Sequence, residues 1–202
     1  PLPGEATWPE AMTWVSQNQH LLPVFIRAAH MPAYGFVYDN ASTAEFLAAR
    51  AVARGEPASQ AAVQDDPLAP PTLSLLLPHL ADYRDAGRLL LLAGRNELYH
   101  GDFVECWKSL DSVHRLGAQL LTGQTLIEQL VGRAIMGMAT QEMRRVLYDL
   151  RDTITAEQLA TVSESWFMTM PLDAMKPNYE GEKLFFSDVV QYIFTDDGNG
   201  NG

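Results

Sequence analysis

The sequence predicts an all-α fold, and two observations carry that prediction. Apolar residues recur at helical spacings on both sides of His100-Gly101-Asp102, as expected for two amphipathic helices. Leu, Ala and Met are plentiful whereas Val and Ile are scarce, a composition that favours helices over sheets. We expect an irregular bundle of about seven to nine helices around one antiparallel hairpin.

That hairpin spans residues 83–121. Gly101 suits the left-handed backbone that ends a helix, and Asp102 can accept from the free N–H groups that begin the next one. Glu105 stands three residues later, at capping-box spacing. Each predicted helix has one apolar face, formed upstream by Leu76, Leu80, Tyr83, Leu90, Leu91 and Leu98, and downstream by Phe103, Cys106, Trp107, Leu110, Val113, Leu116 and Leu120.

The hairpin resembles one tetratricopeptide-type helix pair. Gly94, Gly101, Phe103 and Cys106 stand where that repeat has its small, glycine, aromatic and small residues. Glu97 replaces the expected tyrosine, no proline closes the second helix, and no second copy follows at that period. The pattern therefore predicts a lone hairpin within a bundle rather than a tandem array.

Before the hairpin, Thr7 with Pro9 and Glu10 predicts a helix start, and Asn18 is the expected cap of a second helix over 19–30. Residues 31–71 are rich in proline and glycine, with an Ala-rich helical stretch at 42–54, and predict an irregular segment.

After the hairpin, Thr125 and Glu128 form a capping box before a long helix. Apolar residues there come in adjacent pairs, such as Leu126/Ile127, which predicts a helix covered on more than one side. Gly132 and Gly137 would allow close approach of another helix. Helices are also expected over 156–168, burying Leu159, Val162 and Trp166, and over 179–194, with Phe185, Phe186, Val189 and Ile193 inward. The prediction is one domain over 1–195 and a flexible Gly/Asn-rich tail over 196–202.

The formal charge excludes some partners. The 202 residues carry 25 acidic and 14 basic side chains, a net charge of −11, and this field repels nucleic acid. No run is apolar and long enough to span a membrane. Cys106 is the one cysteine, so an internal disulfide and a cysteine-based zinc site are excluded, and a buried inert thiol is expected. The chain starts at Pro1 without Met and reads as an excised piece, which leaves localisation open.

Two histidine motifs have the spacing of di-iron half-sites: Glu97-x-x-His100 and Asp111-x-x-His114. In an antiparallel hairpin the two histidines lie ~18 Å apart along the axis, so they cannot share a metal. We expect each motif to be an exposed polar pair.

The terminal residues match the first half of a calcium loop. Asp197, Asn199 and Asn201 alternate as oxygen ligands, and Gly202 stands at the sixth position. The bidentate Glu of such a loop would fall after Gly202. A disordered tail is the alternative, and no other cofactor is predicted.

Several blocks resemble an uncharacterised all-helical family of bacterial, planctomycete-type proteins. They are Trp14 to Asn18, the Pro32/Tyr34 segment, the leucine run after Arg88, Cys106-Trp107, Thr125 to Glu128 and Phe194 to Gly198. The resemblance implies helices throughout. It also implies that the Phe194 block continues past Gly202 as a structural turn rather than a calcium loop.

No catalytic constellation is evident. The leading hypothesis is a non-enzymatic helical scaffold or protein-interaction module, whose partner meets a groove beside the hairpin or the 31–71 segment. The alternatives are a calcium-binding module and a small-molecule-binding or enzymatic pocket within the bundle.

Overall fold

The computed structural model describes residues 1–32, 77, 79–168 and 176–193. The described residues are helical, with turns between helices and no strand, so the all-α prediction is confirmed for them. The α-helices are α1 Trp8–Asn18, α2 Leu22–Ala29, α3 His79–Tyr99, α4 Phe103–Leu120, α5 Leu126–Asp149, α6 Ala156–Met168 and α7 Glu180–Ile193. The total number of helices in the chain stays a prediction, because residues 33–76, 78, 169–175 and 194–202 lie outside the described part.

The chain divides into two compact units. The first comprises residues 1–35 and 79–178, and the second comprises 36–78 and 179–202. The first contains α1 to α6 and is where the described core lies. In the second, α7 agrees with the helix predicted over 179–194, but Phe186 is exposed rather than inward. The predicted single domain over 1–195 stays a prediction.

The predicted hairpin is formed by α3 and α4. Gly101 has φ +85°, and the Asp102 side chain accepts from the Glu105 N–H at 3.0 Å, which begins α4 as expected. Gly94 lies so close to α4 that an added Cβ would stand 3.2 Å from the Ser109 Cβ and 3.3 Å from the Cys106 carbonyl oxygen. The two helices therefore pack closely through small residues.

The other main packing partner of α4 is α5. Thr125 and Glu128 form the predicted capping box, with bonds in both directions. Gly132 faces Gly117 of α4, as its predicted role in a close approach requires, whereas a Cβ at Gly137 would meet nothing within 4 Å. Gly137 is therefore not a packing glycine.

The prediction that α5 is covered on more than one side is wrong. Ile127 and Leu130 are 57% and 54% exposed, and the buried stripe includes the polar Glu128, Gln129 and Glu142. Helices α3 and α4 cover α5 from one side, and the buried polar residues there find hydrogen-bond partners. Periodicity alone did not distinguish these satisfied polar residues from solvent-facing ones.

The predicted helix start at Thr7 is confirmed, since α1 begins at Trp8, but two side-chain caps near the N-terminus are not formed. Neither Thr7 nor Asn18 caps a helix with its side chain, and Asn18 Nδ2 instead donates back to the Trp14 carbonyl at 2.8 Å. A 3₁₀ turn over Gln19–Leu21 replaces the predicted helix start, and α2 begins at Leu22. Pro23 falls in the first turn of α2, where no N–H is required.

Helix α6 begins at Ala156, as predicted, and the backbone N–H groups and side chains of Thr155 and Gln158 bond reciprocally at its start. Val162 is buried as expected, whereas Leu159 is exposed. The side chain of Trp166 lies outside the described part.

A charged clamp joins α3 to α5. Arg95 donates to both carboxylate oxygens of Glu142, from Nε at 2.9 Å and from Nη2 at 2.6 Å, and Arg145 donates to the same carboxylate. The Glu142 side chain is only 5% exposed, so its charge depends on these two guanidinium groups.

Candidate functional site

A concave surface of the first unit lies between α2 and the hairpin. The C-terminal end of α2 is fixed to α4 by Gln119, whose Nε2 donates to the carbonyl oxygen of Ala28 at 2.9 Å and, at longer range, to that of Ala29. These bonds satisfy carbonyl groups that a helix end leaves without intrahelical partners. They hold α2 at a fixed place beside α4.

His30 makes a second connection between the same helices. Its Nδ1 lies 2.8 Å from the Ile26 carbonyl oxygen, which can only accept, so Nδ1 carries a proton. Its Nε2 lies 3.4 Å from Asp111 Oδ2, the oxygen that accepts from Arg115 Nε at 2.6 Å. When both ring nitrogens carry protons, the charged His30 forms an ion pair with Asp111 that links the end of α2 to α4.

The space between α2 and the hairpin is a groove with a volume of about 800 Å³. We call it the α2 groove. The α2 wall presents Leu22, Pro23, Ile26 and Arg27, with Met31 just beyond the helix; the hairpin wall presents Ala93, Glu97, Glu105, Lys108 and Ser109. Apolar and charged side chains thus both line the groove.

Small residues of the hairpin line part of the groove. They are Ala93 and Ser109, and the close packing at Gly94 keeps the α3 and α4 backbones together beside them. Met31 is 51% exposed at one end of the groove. An unbranched thioether side chain adapts its shape readily to what it contacts.

A second cavity of about 550 Å³ lies between α1 and α3. Trp14, Leu91 and Leu92 supply apolar lining, and Glu10 and Arg88 supply polar groups. Its size and lining are those of a small-molecule site.

A buried polar cluster stands at the start of α5. The Glu128 carboxylate accepts from the Thr125 backbone N–H at 2.9 Å and from the Thr125 hydroxyl at 3.0 Å, and it lies 3.1 Å from His79 Nε2. Burial, with the nearby charge of Glu128, raises the pKa of Tyr83 to about 12. The cluster members bond to one another, and we interpret them as structural.

The second histidine motif, Asp111 with His114, is not the exposed pair that the sequence predicted. His100 is exposed, but Asp111 is 6% exposed and His114 is 1% exposed. Burial lowers the pKa of His114 to about 4, although the Asp111 charge opposes this shift. The prediction failed because it placed these residues on the solvent face, whereas α2, α3 and α5 cover α4 from several directions.

Cys106 is buried as predicted. Its burial, and secondarily the charge of Glu142, raises the pKa of the thiol to about 12. Such a thiol is a poor nucleophile at neutral pH.

No group of three or more His, Cys, Asp or Glu side chains within the described ranges could hold a metal ion. The predicted calcium ligands Asp197, Asn199 and Asn201 lie outside those ranges, so the calcium site stays a prediction. Among the helices that the structure describes, none is both long and apolar enough to cross a membrane.

Comparisons of the chain with protein-family models, with curated proteins and with solved structures found no match. The resemblances to a tetratricopeptide pair and to a planctomycete-type helical family therefore stay predictions.

The sequence predicted a groove beside the hairpin in general terms but named none of its residues. The sequence patterns placed Glu97 at the tyrosine position of the tetratricopeptide-type pair and in a metal motif, but not in a groove. No pattern in the sequence indicated that α2 lies against α4. That contact depends on Gln119, about 90 residues from α2 along the chain, and on Asp111, about 80 residues from it. Pairs so distant leave no periodic trace in one sequence.

Proposed function

We propose that this chain is a helical protein-interaction module that binds a segment of a partner protein in the α2 groove. The groove itself is the observation that carries the proposal. Its lining combines apolar with charged side chains, and protein-binding surfaces combine both kinds.

The fixed position of α2 supports the same proposal. Gln119 and His30 hold the end of α2 against α4, so the groove is formed before any partner arrives. A preformed groove reduces the loss of conformational freedom on binding. The exposed Met31 supplies adaptable apolar contact at one end.

The experiment is a selection of short random peptides displayed on phage against the full chain. Selected peptides are then tested on Ile26→Glu, which places a charge in the middle of the groove, and on Met31→Glu at its end. Ala160→Glu is the matched control, because it adds the same charge on exposed α6. Circular dichroism checks that each variant keeps its helices.

We expect the selected peptides to bind Ile26→Glu and Met31→Glu at least about tenfold more weakly than the wild type, because burying an unpaired carboxylate costs more than about 1.4 kcal/mol. Binding to Ala160→Glu should be unchanged. Equal binding of every selected peptide to all four proteins would overturn the proposal.

The cavity between α1 and α3 favours a second candidate function, the binding of a small apolar molecule. Ala11 lines it, so Ala11→Phe should fill part of the space. Small aromatic compounds that raise the melting temperature of the wild type should leave that of Ala11→Phe unchanged. An equal rise in both proteins would locate binding elsewhere.

A further inference from the structure

Two charged side chains in the α2 groove, one of each sign, differ from the other charged groups around it because they have no partner among the described residues. Glu105 and Lys108 form an ion pair at 3.2 Å, and His30 lies beside Asp111. Arg27 on α2 and Glu97 on α3 also line the groove, and neither side chain has an ion-pair or hydrogen-bond partner within the described part of the chain.

We infer that the partner segment carries an acidic side chain opposite Arg27 and a basic side chain opposite Glu97, with apolar residues between them. This inference rests on the proposed function of the groove. It commits the partner to a peptide of mixed charge.

The two charges act differently because their exposures differ. Glu97 is half-buried on α3, and a bound apolar segment would cover it further. Covering a carboxylate without supplying a cation is costly, so Glu97 should discriminate against partners that lack a basic residue there. Arg27 is exposed and should contribute mainly to orientation and to the rate of association.

The Glu105–Lys108 pair offers a partner much less. Each charge is already neutralised by the other within one turn of α4. A peptide charge that replaces one member of this pair exchanges one exposed ion pair for another. The net gain in binding free energy is small, because exposed pairs contribute at most about 1 kcal/mol. The selectivity therefore lies with Arg27 and Glu97.

The test uses the peptides obtained from the random library against the full chain. Dissociation constants are measured for the wild type, Arg27→Gln and Glu97→Gln, each with the original peptide and with versions whose acidic or basic residue is replaced by a neutral one. These measurements form double-mutant cycles that isolate each pairing.

We expect Glu97→Gln to weaken binding of the original peptide about fivefold, and Arg27→Gln to weaken it by a smaller factor because Arg27 is exposed. The effect of Arg27→Gln should vanish when the peptide has lost its acidic residue. Glu97→Gln should strengthen the binding of a peptide that has lost its basic residue, because no carboxylate is then covered without a cation. For the crossed combinations, Arg27→Gln with the basic residue neutralised and Glu97→Gln with the acidic residue neutralised, the changes in binding free energy should be additive.

Two results would overturn the inference while leaving the groove as the binding site. The first is a set of peptides that need Ile26 for binding but carry no such charges. The second is a loss of affinity in each protein variant that is the same whichever peptide residue has been neutralised. Peptides whose binding is indifferent to Ile26→Glu and Met31→Glu would instead overturn the proposed function. The two failures are therefore distinguishable.

Discussion

Gly117 and Gly132 face each other where α4 and α5 cross. A Cβ added to Gly117 would lie 2.7 Å from the Gly132 carbonyl oxygen, and one added to Gly132 would lie 2.7 Å from the Gly117 carbonyl oxygen. A Cβ cannot lie this close to a backbone carbonyl oxygen. The two helices can therefore approach this closely only because neither position carries a side chain. The crossing places α5 against the hairpin that forms the groove floor.

The first prediction concerns this crossing. Gly117→Ala and Gly132→Ala should each destabilise the protein by about 2 kcal/mol or more, because the helices must separate to admit the methyl group. Gly137→Ala, in the same helix as Gly132 but with nothing within 4 Å, should stabilise it by about 0.5–1 kcal/mol through helix propensity. Urea unfolding measures all three. A similar stabilisation in every variant would contradict the close crossing.

The second prediction concerns the charged clamp. Glu142→Gln should cost about 3 kcal/mol of unfolding free energy, because Arg95 and Arg145 lose the carboxylate that neutralises both. Asp85→Asn is the control, since it removes the carboxylate of the exposed pair with Arg88 and should cost less than about 1 kcal/mol. Chemical denaturation compares the two. Equal costs would show that burial does not distinguish these pairs.

The third prediction is a pH dependence due to His114. Its pKa is lowered to about 4 by burial, whereas the unfolded chain has the ordinary value of 6.5, so the unfolded state binds more protons between these values. Stability therefore falls as the pH drops below 6.5. From about pH 7.5 to about pH 5 the loss due to this residue is about 2 kcal/mol.

His114→Gln should reduce the loss of stability over that range by the same amount, as measured by urea unfolding at each pH. If the variant does not fold, NMR titration of the His114 ring in the wild type gives the answer directly. A ring that becomes protonated near pH 6.5 in the folded protein would contradict the prediction.

The fourth prediction concerns Cys106. Because the thiol is 1% exposed and its pKa is raised to about 12, a thiol reagent at neutral pH should modify it at least about a hundredfold more slowly in the folded than in the unfolded protein. Ala160→Cys adds an exposed thiol on α6 as a control, and exactly one of its two thiols should then react quickly. Fast reaction of the wild-type protein would show that the site opens readily.

The local features of the fold could be predicted from the sequence because they depend on neighbouring residues. Gly101 and Asp102 determine the turn between α3 and α4, and Thr125 with Glu128 determines the start of α5. Caps and turns of this kind are decided within a few residues by backbone geometry and hydrogen bonding. Two such predictions, at Thr7 and Asn18, failed where the neighbouring turn was satisfied in another way.

The sequence by itself determined the helical class, the hairpin and the buried face of α4, since all of these follow from periodicity and local capping. Only the tertiary structure decided which polar residues are buried and where the groove lies. Asp111 and His114 are buried because α4 is surrounded by other helices, and Ile26 lines a groove because Gln119 holds α2 beside the hairpin. Both outcomes depend on contacts between residues far apart in the chain, whose energies do not appear in the spacing of any one segment.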